Sequence, residues 1–217
     1  MPLTELLLAR HGEAVCNVEG IVGGERGCTG LTDRGRRQAA QLAERLRSEH
    51  SRQRFDAIYT TPRRRCAETA QIVTTVLGTT AVVDSDLRGA DHGAADARAW
   101  RDVKDAFGGP PQHDPDRPYA EGAESWTAYL DRSTQALARI IAHHPGQRVL
   151  VLAHGETIEA ANTLLLGLPA GTCTRARFVT DHASLTRWQL HTNRLGHRVW
   201  MLCAHNDTTH LAEDHNP

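Results

Sequence analysis

The sequence predicts an α/β domain of three layers, an α/β/α sandwich with a mostly parallel central sheet and an inserted cap. Two apolar runs carry this prediction, one from Leu3 to Ala9 and one from Val149 to Ala153. Such continuous runs are typical of strands buried on both faces, as in parallel sheets. Helical patterns alternate with the predicted strands, which is the order that an α/β fold requires.

The other elements follow from periodicity and from residues that begin or end them. Thr32 is a predicted N-cap, because its hydroxyl can accept a hydrogen bond from the first helical turn. Pro62 ends a strand, because it has no N–H to donate. Further strands are predicted at Phe55–Tyr59, Ala81–Val83, Arg177–Val179, Leu185–Leu190 and Val199–Cys203. Helices are predicted after Thr32, from Ala67 to Gly78, from Ala97 to Phe107, from Trp126 to His143 and from Thr157 to Leu166.

One domain is predicted over residues 1–212. The chain has 217 residues, which is within the usual size of a single domain. Residues from about 88 to 122 are rich in Gly, Ala, Asp, His and Pro, which predicts an irregular cap inserted into the domain. Long loops of this kind inside a compact domain are often functional lids. The tail at 213–217 is predicted to be disordered.

Composition and charge restrict the class of partner. The net charge of -1 and the pI near 6.9 argue against binding to nucleic acid or to a membrane surface through the overall field. No run approaches the ~18 apolar residues of a membrane span, and the N-terminus lacks a signal-peptide pattern. The five cysteines show no C-x-x-C spacing, so reduced thiols in the cytoplasm are expected. The sequence is compatible with a homodimer and does not determine the oligomeric state.

Each of the two apolar runs ends in a histidine followed by a glycine. Arg10, His11 and Gly12 follow the first run, and His154 and Gly155 follow the second. In an open α/β sheet, ligands gather just outside the carboxyl ends of the strands. A cation and an imidazole at this edge, with a glycine that allows a sharp turn, suit an anionic ligand.

These motifs, together with the segment from Tyr59 to Ala70, resemble the histidine phosphatase superfamily, also called phosphoglycerate mutase-like. The resemblance extends from about residue 3 to about residue 212. It implies a metal-independent phosphatase that needs no cofactor and acts on a small phosphorylated metabolite. The reaction would pass through a phosphohistidine that water then hydrolyses. Thirteen histidines raise the question of a metal, but no H-E-x-x-H or paired Cys/His spacing is present.

The resemblance also implies a role for each residue of the site. His11 is the expected nucleophile, and His154 is expected to donate to a phosphoryl oxygen as charge develops. The planar guanidinium groups of Arg10 and Arg65 are expected to clamp the phosphoryl oxygens. Further contacts to phosphate or substrate are expected from Asn17, Gly155, Arg63 and Glu156.

Arg65 lies in a run of three arginines, so its assignment needs a separate argument. Its spacing from Pro62 and from the Glu68-Thr69-Ala70 segment matches the family motif. Arg63 is the alternative if the motif is shifted.

The sequence departs from the family at the expected general acid. The family usually has a Glu that protonates the leaving oxygen, and Gly89 occupies that position here. Asp91 is the nearest substitute, Asp96 is the next, and Glu156 is a third candidate. A missing general acid costs ~10²–10⁴ in rate toward a poor leaving group.

Two alternatives to a phosphatase follow from the same residues. A mutase would move phosphate within one sugar acid instead of releasing it. A protein that binds phosphate without turnover, or that has been repurposed for other chemistry, would explain the glycine at position 89.

Overall fold

A computed structural model describes residues 4–169 and 175–214, with side-chain burial up to Leu211. Its strands are β1 (Thr4–Arg10), β2 (Ala57–Thr60), β3 (Val82–Val83), β4 (Arg148–Ala153), β5 (Leu185–Thr192) and β6 (Arg198–Asp207). They form one sheet in the order β3-β2-β4-β1-β5-β6. Strands β3, β2, β4 and β1 run parallel, whereas β5 is antiparallel to both β1 and β6. The predicted α/β class with a mostly parallel sheet is confirmed.

Six α-helices accompany the sheet within the described residues. They are α1 (Val15–Val18), α2 (Asp33–Arg52), α3 (Arg64–Leu77), α4 (Trp100–Phe107), α5 (Trp126–His143) and α6 (Gly155–Leu166). Short 3-10 helices occur at Ser85–Leu87, Gly93–Ala95, Pro111–His113 and Thr209–Asp214. As predicted, the Thr32 hydroxyl caps α2, since it accepts from the Gly35 N–H at 2.9 Å. None of these helices is long and apolar enough to span a bilayer.

The core has two halves, one on each face of the sheet. Alternate residues of β1 point to opposite faces. Leu7 and Ala9 pack with the apolar side chains of α2 and α3, whereas Leu6 and Leu8 pack with those of α5 and α6. All four side chains are at most 1% exposed, and burying a leucine stabilises a fold by about 1.5–3 kcal/mol. Strand β1 is therefore the middle of a three-layer sandwich.

The pairing of β1 with β4 brings the two histidine motifs together. Arg10 pairs with Ala153 in parallel register, so the residues that follow, His11 and His154, leave the sheet at the same edge. Strand β2 ends at this edge as well, because Thr60 pairs with Leu152. The site is thus assembled by three parallel strands that end together.

Residues 88–122 cover this edge. Val22, in the loop after α1, packs with Ala95 and Val103 of this segment. The backbone N–H of Val22 also donates to the carbonyl of Arg98 at 2.8 Å. The predicted helix from Ala97 begins only at Trp100, because Ala97 has a φ of 71°, which a right-handed helix does not allow.

One expectation near the end of the chain needs correction. Arg177–Val179 is not a strand: these residues pair with no strand of the sheet, and Val179 is 68% exposed. The last short helix runs to Asp214, two residues into the tail predicted at 213–217. Residues 215–217 lie outside the described residues, as does the Leu3 start of the first predicted strand. The predicted hairpin of the last two strands is present as β5 and β6.

Candidate active site

His11 follows β1 and is 3% exposed. Its Nδ1 lies 2.7 Å from the carbonyl of Gly12, and Arg65 Nε lies 3.0 Å from its Nε2. A carbonyl only accepts and a guanidinium only donates, so Nδ1 carries the proton and Nε2 presents a lone pair. Burial, followed by the charges of Arg65 and Arg10, lowers the pKa of His11 well below its ordinary value. The ring is therefore neutral at pH 7, as a nucleophile must be.

His154 is the second histidine of the site and is fully buried. Its ring centroid lies 5.7 Å from that of His11. Arg65 Nη2 donates to its Nδ1 at 3.1 Å, so its proton lies on Nε2 and is donated to the Thr61 hydroxyl at 3.1 Å. Burial, then the nearby Arg65 and Arg63, lowers the pKa of His154. Donation from Nδ1 to a phosphoryl oxygen therefore requires that this ring take up a second proton.

Arg65 connects the two histidines. Its guanidinium donates to both rings and to the carbonyl of Gly23 at 2.6 Å. The residue is 8% exposed, and within the described chain no carboxylate lies in ion-pair distance of it. A buried cation without a carboxylate partner attracts an anion strongly, because water cannot screen it there. Of the two candidate arginines, the structure places Arg65, not Arg63, between the histidines.

Arg10 supplies a second cation, at the end of β1. Its Nη1 donates to the Thr180 carbonyl at 2.5 Å, while its buried Nε has no partner among the described residues. Gly155 lies beside it, and a Cβ there would come within 2.7 Å of the Thr180 hydroxyl. Glycine at this position lets the first turn of α6 pack closely against Thr180, whose carbonyl binds the arginine. The N–H groups of that turn have no partners within the helix, which favours an anion in front of them.

Asp91 does not have the environment of a general acid. Its carboxylate accepts from Arg88 Nη2 at 2.7 Å and from Arg63 Nη2 at 3.2 Å. The hydrogen bond from Arg88 is the largest cause that lowers the pKa of Asp91. A general acid needs the opposite shift, because it must carry its proton near neutral pH. The expectation for Asp91 is therefore corrected: it is an ion-pair partner of Arg88 and Arg63.

Asp96 has a structural role. Its carboxylate accepts from the backbone N–H groups of Gly24, Arg26 and Gly27 at 2.8–3.1 Å. Burial would raise the pKa of Asp96, but these hydrogen bonds outweigh burial and lower it. Asp96 therefore holds the loop at 24–27. It does not have the environment of a general acid, the role for which it was the second candidate.

Gly89 lies at the catalytic centre, and Glu156 lines the same cavity. A Cβ at Gly89 would lie 3.6 Å from the His154 ring and 3.7 Å from Arg65 Nη2, which is ordinary contact distance. Glu156 is in the first turn of α6, and its carboxylate forms no hydrogen bond or ion pair with another described residue. Among the three substitutes for the usual Glu, Glu156 is the one with an unengaged carboxylate.

His182 is part of the site and was not predicted from the sequence. Its ring centroid lies 5.7 Å from that of His11, and its Nε2 lies 3.1 Å from Asn17 Oδ1. Asn17, a predicted phosphate contact, also accepts from the N–H of Ala14 through this oxygen. The sequence feature that could have identified His182 is its position just before a predicted strand. Because β5 runs antiparallel to β1, residues that precede β5 meet those that follow β1.

A cavity of about 260 Å³ lies under the cap and reaches Arg65, the arginine between the two histidines. Its wall includes Gly89, Trp100, Gln112, Tyr119, Trp126 and Glu156. Two buried atoms of this wall, Gln112 Oε1 and Trp126 Nε1, have no hydrogen-bond partner among the described residues. One of them accepts and the other donates. In the described part of the chain, no group of three or more His, Cys, Asp or Glu side chains is arranged to hold a metal ion.

Comparison with known families agrees with this geometry. A profile of the histidine phosphatase superfamily (branch 1) matches residues 6–202. The chain belongs to this superfamily. It is 33% identical over 161 residues to phosphoglycerate mutase-like protein 4 of Arabidopsis thaliana, covering 72% of this chain and 68% of the relative. It is 26% identical over 215 residues to a metal-independent phosphoserine phosphatase of the same plant, covering 97% and 84%.

A solved structure shows the same fold. The mycobacterial glucosyl-3-phosphoglycerate phosphatase in complex with VO3 superposes with a TM-score of 0.78 at 26% identity, covering 94% of this chain and 99% of that one. The superfamily members similar to this chain thus include both phosphatases and mutase-like proteins. Membership establishes a phosphatase or phosphotransferase enzyme and leaves the substrate open.

Proposed function

We propose that this protein is a metal-independent phosphatase that hydrolyses a small-molecule phosphomonoester through a phosphohistidine at His11. The observation that carries the proposal is the unprotonated Nε2 of a neutral, buried His11 beside the buried guanidinium of Arg65. Nε2 attacks phosphorus, an N–P bond forms, and the ester P–O bond breaks. Water then attacks the phosphohistidine, which releases inorganic phosphate and restores the ring.

The positive charge for this reaction comes from side chains. Arg65 and Arg10 are both close enough to the histidine pair to lower the pKa of His11, and phosphoryl transfer needs such charge around the equatorial oxygens. A phosphoryl dianion would favour protonation of His154, which then donates to an oxygen. With this charge in place, the reaction needs no metal ion and no cofactor.

Glu156 is the proton donor in this proposal. An alkoxide leaving group needs a proton as the P–O bond breaks. Asp91 and Asp96 hold other partners, whereas Glu156 faces the cavity that also contains Gly89 and Arg65. A carboxylic acid on Glu156 would pass its proton to the leaving oxygen, and the resulting carboxylate would accept one from the attacking water in the second step.

The cavity supports a small polar leaving group. Its volume of about 260 Å³ suits a metabolite. Gln112 Oε1 and Trp126 Nε1 are a buried acceptor and a buried donor without partners. Residues that line the cavity thus carry unused hydrogen-bonding capacity, and a leaving group that can both donate and accept hydrogen bonds would use it after a small side-chain rotation.

The test is a screen of phosphorylated metabolites and p-nitrophenyl phosphate with three proteins: wild type, His11→Ala and His143→Ala. His143 is an exposed histidine at the end of α5 and is the matched control. We expect His11→Ala to lose activity by on the order of 10³-fold or more, because the nucleophile carries the covalent step. His143→Ala should match wild type. Full activity in His11→Ala would refute the phosphohistidine route.

A mutase is the second candidate, and the similarity to a phosphoglycerate mutase-like relative favours it. Both reactions share the phosphohistidine and differ in whether water or a second hydroxyl takes the phosphoryl group. Incubation of one phosphorylated sugar acid, followed by ³¹P NMR, separates the two candidates. Isomerisation without release of phosphate would replace the phosphatase proposal by the mutase. Phosphate binding without either reaction would indicate a member that has lost turnover.

A further inference from the structure

The turn that precedes β5 holds a histidine against the nucleophile. His182 lies on this turn, with its ring centroid 5.7 Å from that of His11 and an interplanar angle of 46°. The next N–H, that of Ala183, donates to the His11 carbonyl at 3.2 Å. The nucleophile and His182 are therefore tied together through the backbone as well as by ring proximity.

The turn is strained. Ala183 has a φ of 58°, a left-handed conformation that alanine rarely adopts. Such a conformation is costly for alanine and persists only where the surroundings impose it, which is common at functional sites. Two contacts hold this conformation. His210 Nε2 lies 3.0 Å from the Ala183 carbonyl, and the Ser184 N–H donates to the backbone carbonyl of Asp181 at 3.1 Å.

A second strained residue holds the start of the turn. Asn206 has a φ of 53°. Its side-chain oxygen accepts from the Asp181 N–H at 2.6 Å, and its Nδ2 donates to the Asp181 carboxylate at 2.8 Å. Asn206 and His210 both belong to the Asn-Asp-x-x-His-Leu segment near the end of the chain. This segment thus fixes both sides of His182.

We propose that His182 is a third histidine of the phosphoryl site, which orients the Asn17 amide and contacts the phosphoryl oxygens as an imidazolium when a dianion is bound. This inference rests on the proposed function, because it assigns a residue to the same site. The nearby Asn17 has its oxygen engaged by His182 Nε2 and by the Ala14 N–H. Its amide N–H groups are left to donate elsewhere, which is what an anion requires.

The charges around His182 explain why the ligand would control its protonation. Burial, followed by the charge of Arg10, lowers the pKa of His182 to about 3. Arg34 and Arg65 lower it further, and Asp181 opposes them. A phosphoryl dianion brings two negative charges into this cluster, which offset the charges of the arginines and favour the protonated ring. His182 Nδ1 has no partner among the described residues, so it can take up that proton and donate it.

The experiment titrates inorganic phosphate into wild type, His182→Gln and His191→Gln by calorimetry at pH 7, in two buffers of different ionisation heat. His191, an exposed histidine near the other end of β5, is the matched control. We expect His182→Gln to bind phosphate about 10- to 100-fold more weakly, which is the worth of one charge-assisted hydrogen bond. It should also take up about one proton fewer per phosphate bound. Equal affinity and equal proton uptake in wild type and His182→Gln would overturn the proposal.

A second measurement needs no variant that could misfold. ¹⁵N NMR of the histidine ring nitrogens in wild type should show His182 change from a neutral to an imidazolium pattern as phosphate saturates the site. A neutral pattern at saturation would overturn the proposal. If wild type binds phosphate with this signature but hydrolyses no ester, the proposed function fails and the assignment of His182 stands. If wild type binds no phosphate, both fail.

Discussion

His11 receives a hydrogen bond from Arg65 on Nε2 and donates one from Nδ1 to the carbonyl of Gly12. Burial is the largest cause that lowers the pKa of His11, and the charge of the same arginine adds to it. Arg65 therefore helps to keep the nucleophile neutral and also directs its lone pair. A phosphoryl group that approaches Nε2 also comes close to the guanidinium of Arg65, which can stabilise the negative charge on its oxygens during attack.

Glu156→Gln tests the proton donor at the scale of a single residue. We expect the variant to lose ~10²–10⁴ of kcat/KM toward an alkyl phosphate, because an alkoxide needs its proton as it leaves. Hydrolysis of p-nitrophenyl phosphate should fall only a few-fold, since nitrophenolate leaves without a proton. The measurement is kcat/KM for both esters, with Glu121→Gln, an exposed carboxylate of the cap outside the cavity wall, as the control.

Gly89→Glu extends the same test. The Cβ of a larger residue at position 89 meets only ordinary contacts at 3.6–3.7 Å, and the backbone there is not in the left-handed region. In the Glu156→Gln background, we expect Gly89→Glu to recover alkyl phosphatase activity. Glu156 would be excluded as the proton donor if Glu156→Gln lowered kcat/KM equally for both esters and Gly89→Glu restored no alkyl phosphatase activity.

At the scale of elements, the site is built where strands end and helices begin. Strand β1 delivers Arg10 and His11, β4 delivers His154, and α3 delivers Arg65. The rigid sheet fixes the two histidines, whereas the cap and the loop at 24–27 close over them. Asp96 connects the cap to this loop through three backbone hydrogen bonds.

Asp96→Asn should weaken this connection. We expect a loss of about 1–3 kcal/mol in the free energy of unfolding, because an amide oxygen replaces the charge and one acceptor is lost from three buried N–H groups. Chemical denaturation measures this loss. Asp105→Asn, an exposed carboxylate on α4, is the matched control and should change little. Equal free energies of unfolding for Asp96→Asn and Asp105→Asn would show that Asp96 does not stabilise the loop at 24–27.

At the scale of the whole molecule, four buried or half-buried histidines make the fold sensitive to acid. The pKa is lowered to about 4 for His92 and about 3 for His182, and well below the ordinary value for His11 and His154. Unfolded histidines titrate near ~6.5. As the pH falls through this value, these histidines become protonated in the unfolded chain but stay neutral in the folded chain. Their contribution to the free energy of unfolding is therefore complete above pH ~6.5 and is lost progressively below it.

We therefore expect the free energy of unfolding to fall by on the order of 5 kcal/mol between pH 7 and pH 5.5, about 1.2 kcal/mol for each of the four histidines, before the carboxylates begin to titrate. Urea denaturation at a series of pH values measures this slope. His182→Gln should show a shallower slope than wild type, and His191→Gln the same slope. Constant stability across this range would contradict the lowered pKa values.

Phosphatase activity should also survive an excess of chelator, since Arg10, Arg65 and a protonated His154 supply the charge that a metal would bring. The assay is hydrolysis of p-nitrophenyl phosphate with and without EDTA. Loss of activity that a divalent ion restores would count against the arrangement proposed for the site.

Much of the site could be predicted because local sequence carries it. The apolar runs before His11 and His154 predict buried parallel strands, and parallel strands end at one edge. Arg65 could be chosen over Arg63 from motif spacing. His182 could not, because it belongs to no local motif and reaches the site only through the antiparallel pairing of β5 with β1. Arg177–Val179 was wrongly predicted as a strand, because a short run of residues favoured in strands does not show whether its backbone pairs with a neighbouring strand.

The sequence by itself determined the fold class, the family and the two histidines, since these depend on apolar runs and short motifs whose spacing is local. Only the tertiary structure decided which carboxylate is free. Asp91 is close to Gly89 in sequence, but Arg88 and Arg63 hold it ionised, whereas Glu156 is distant in sequence and shares its cavity. The physical reason is that the protonation and the reach of a carboxylate depend on neighbours that folding brings from elsewhere in the chain.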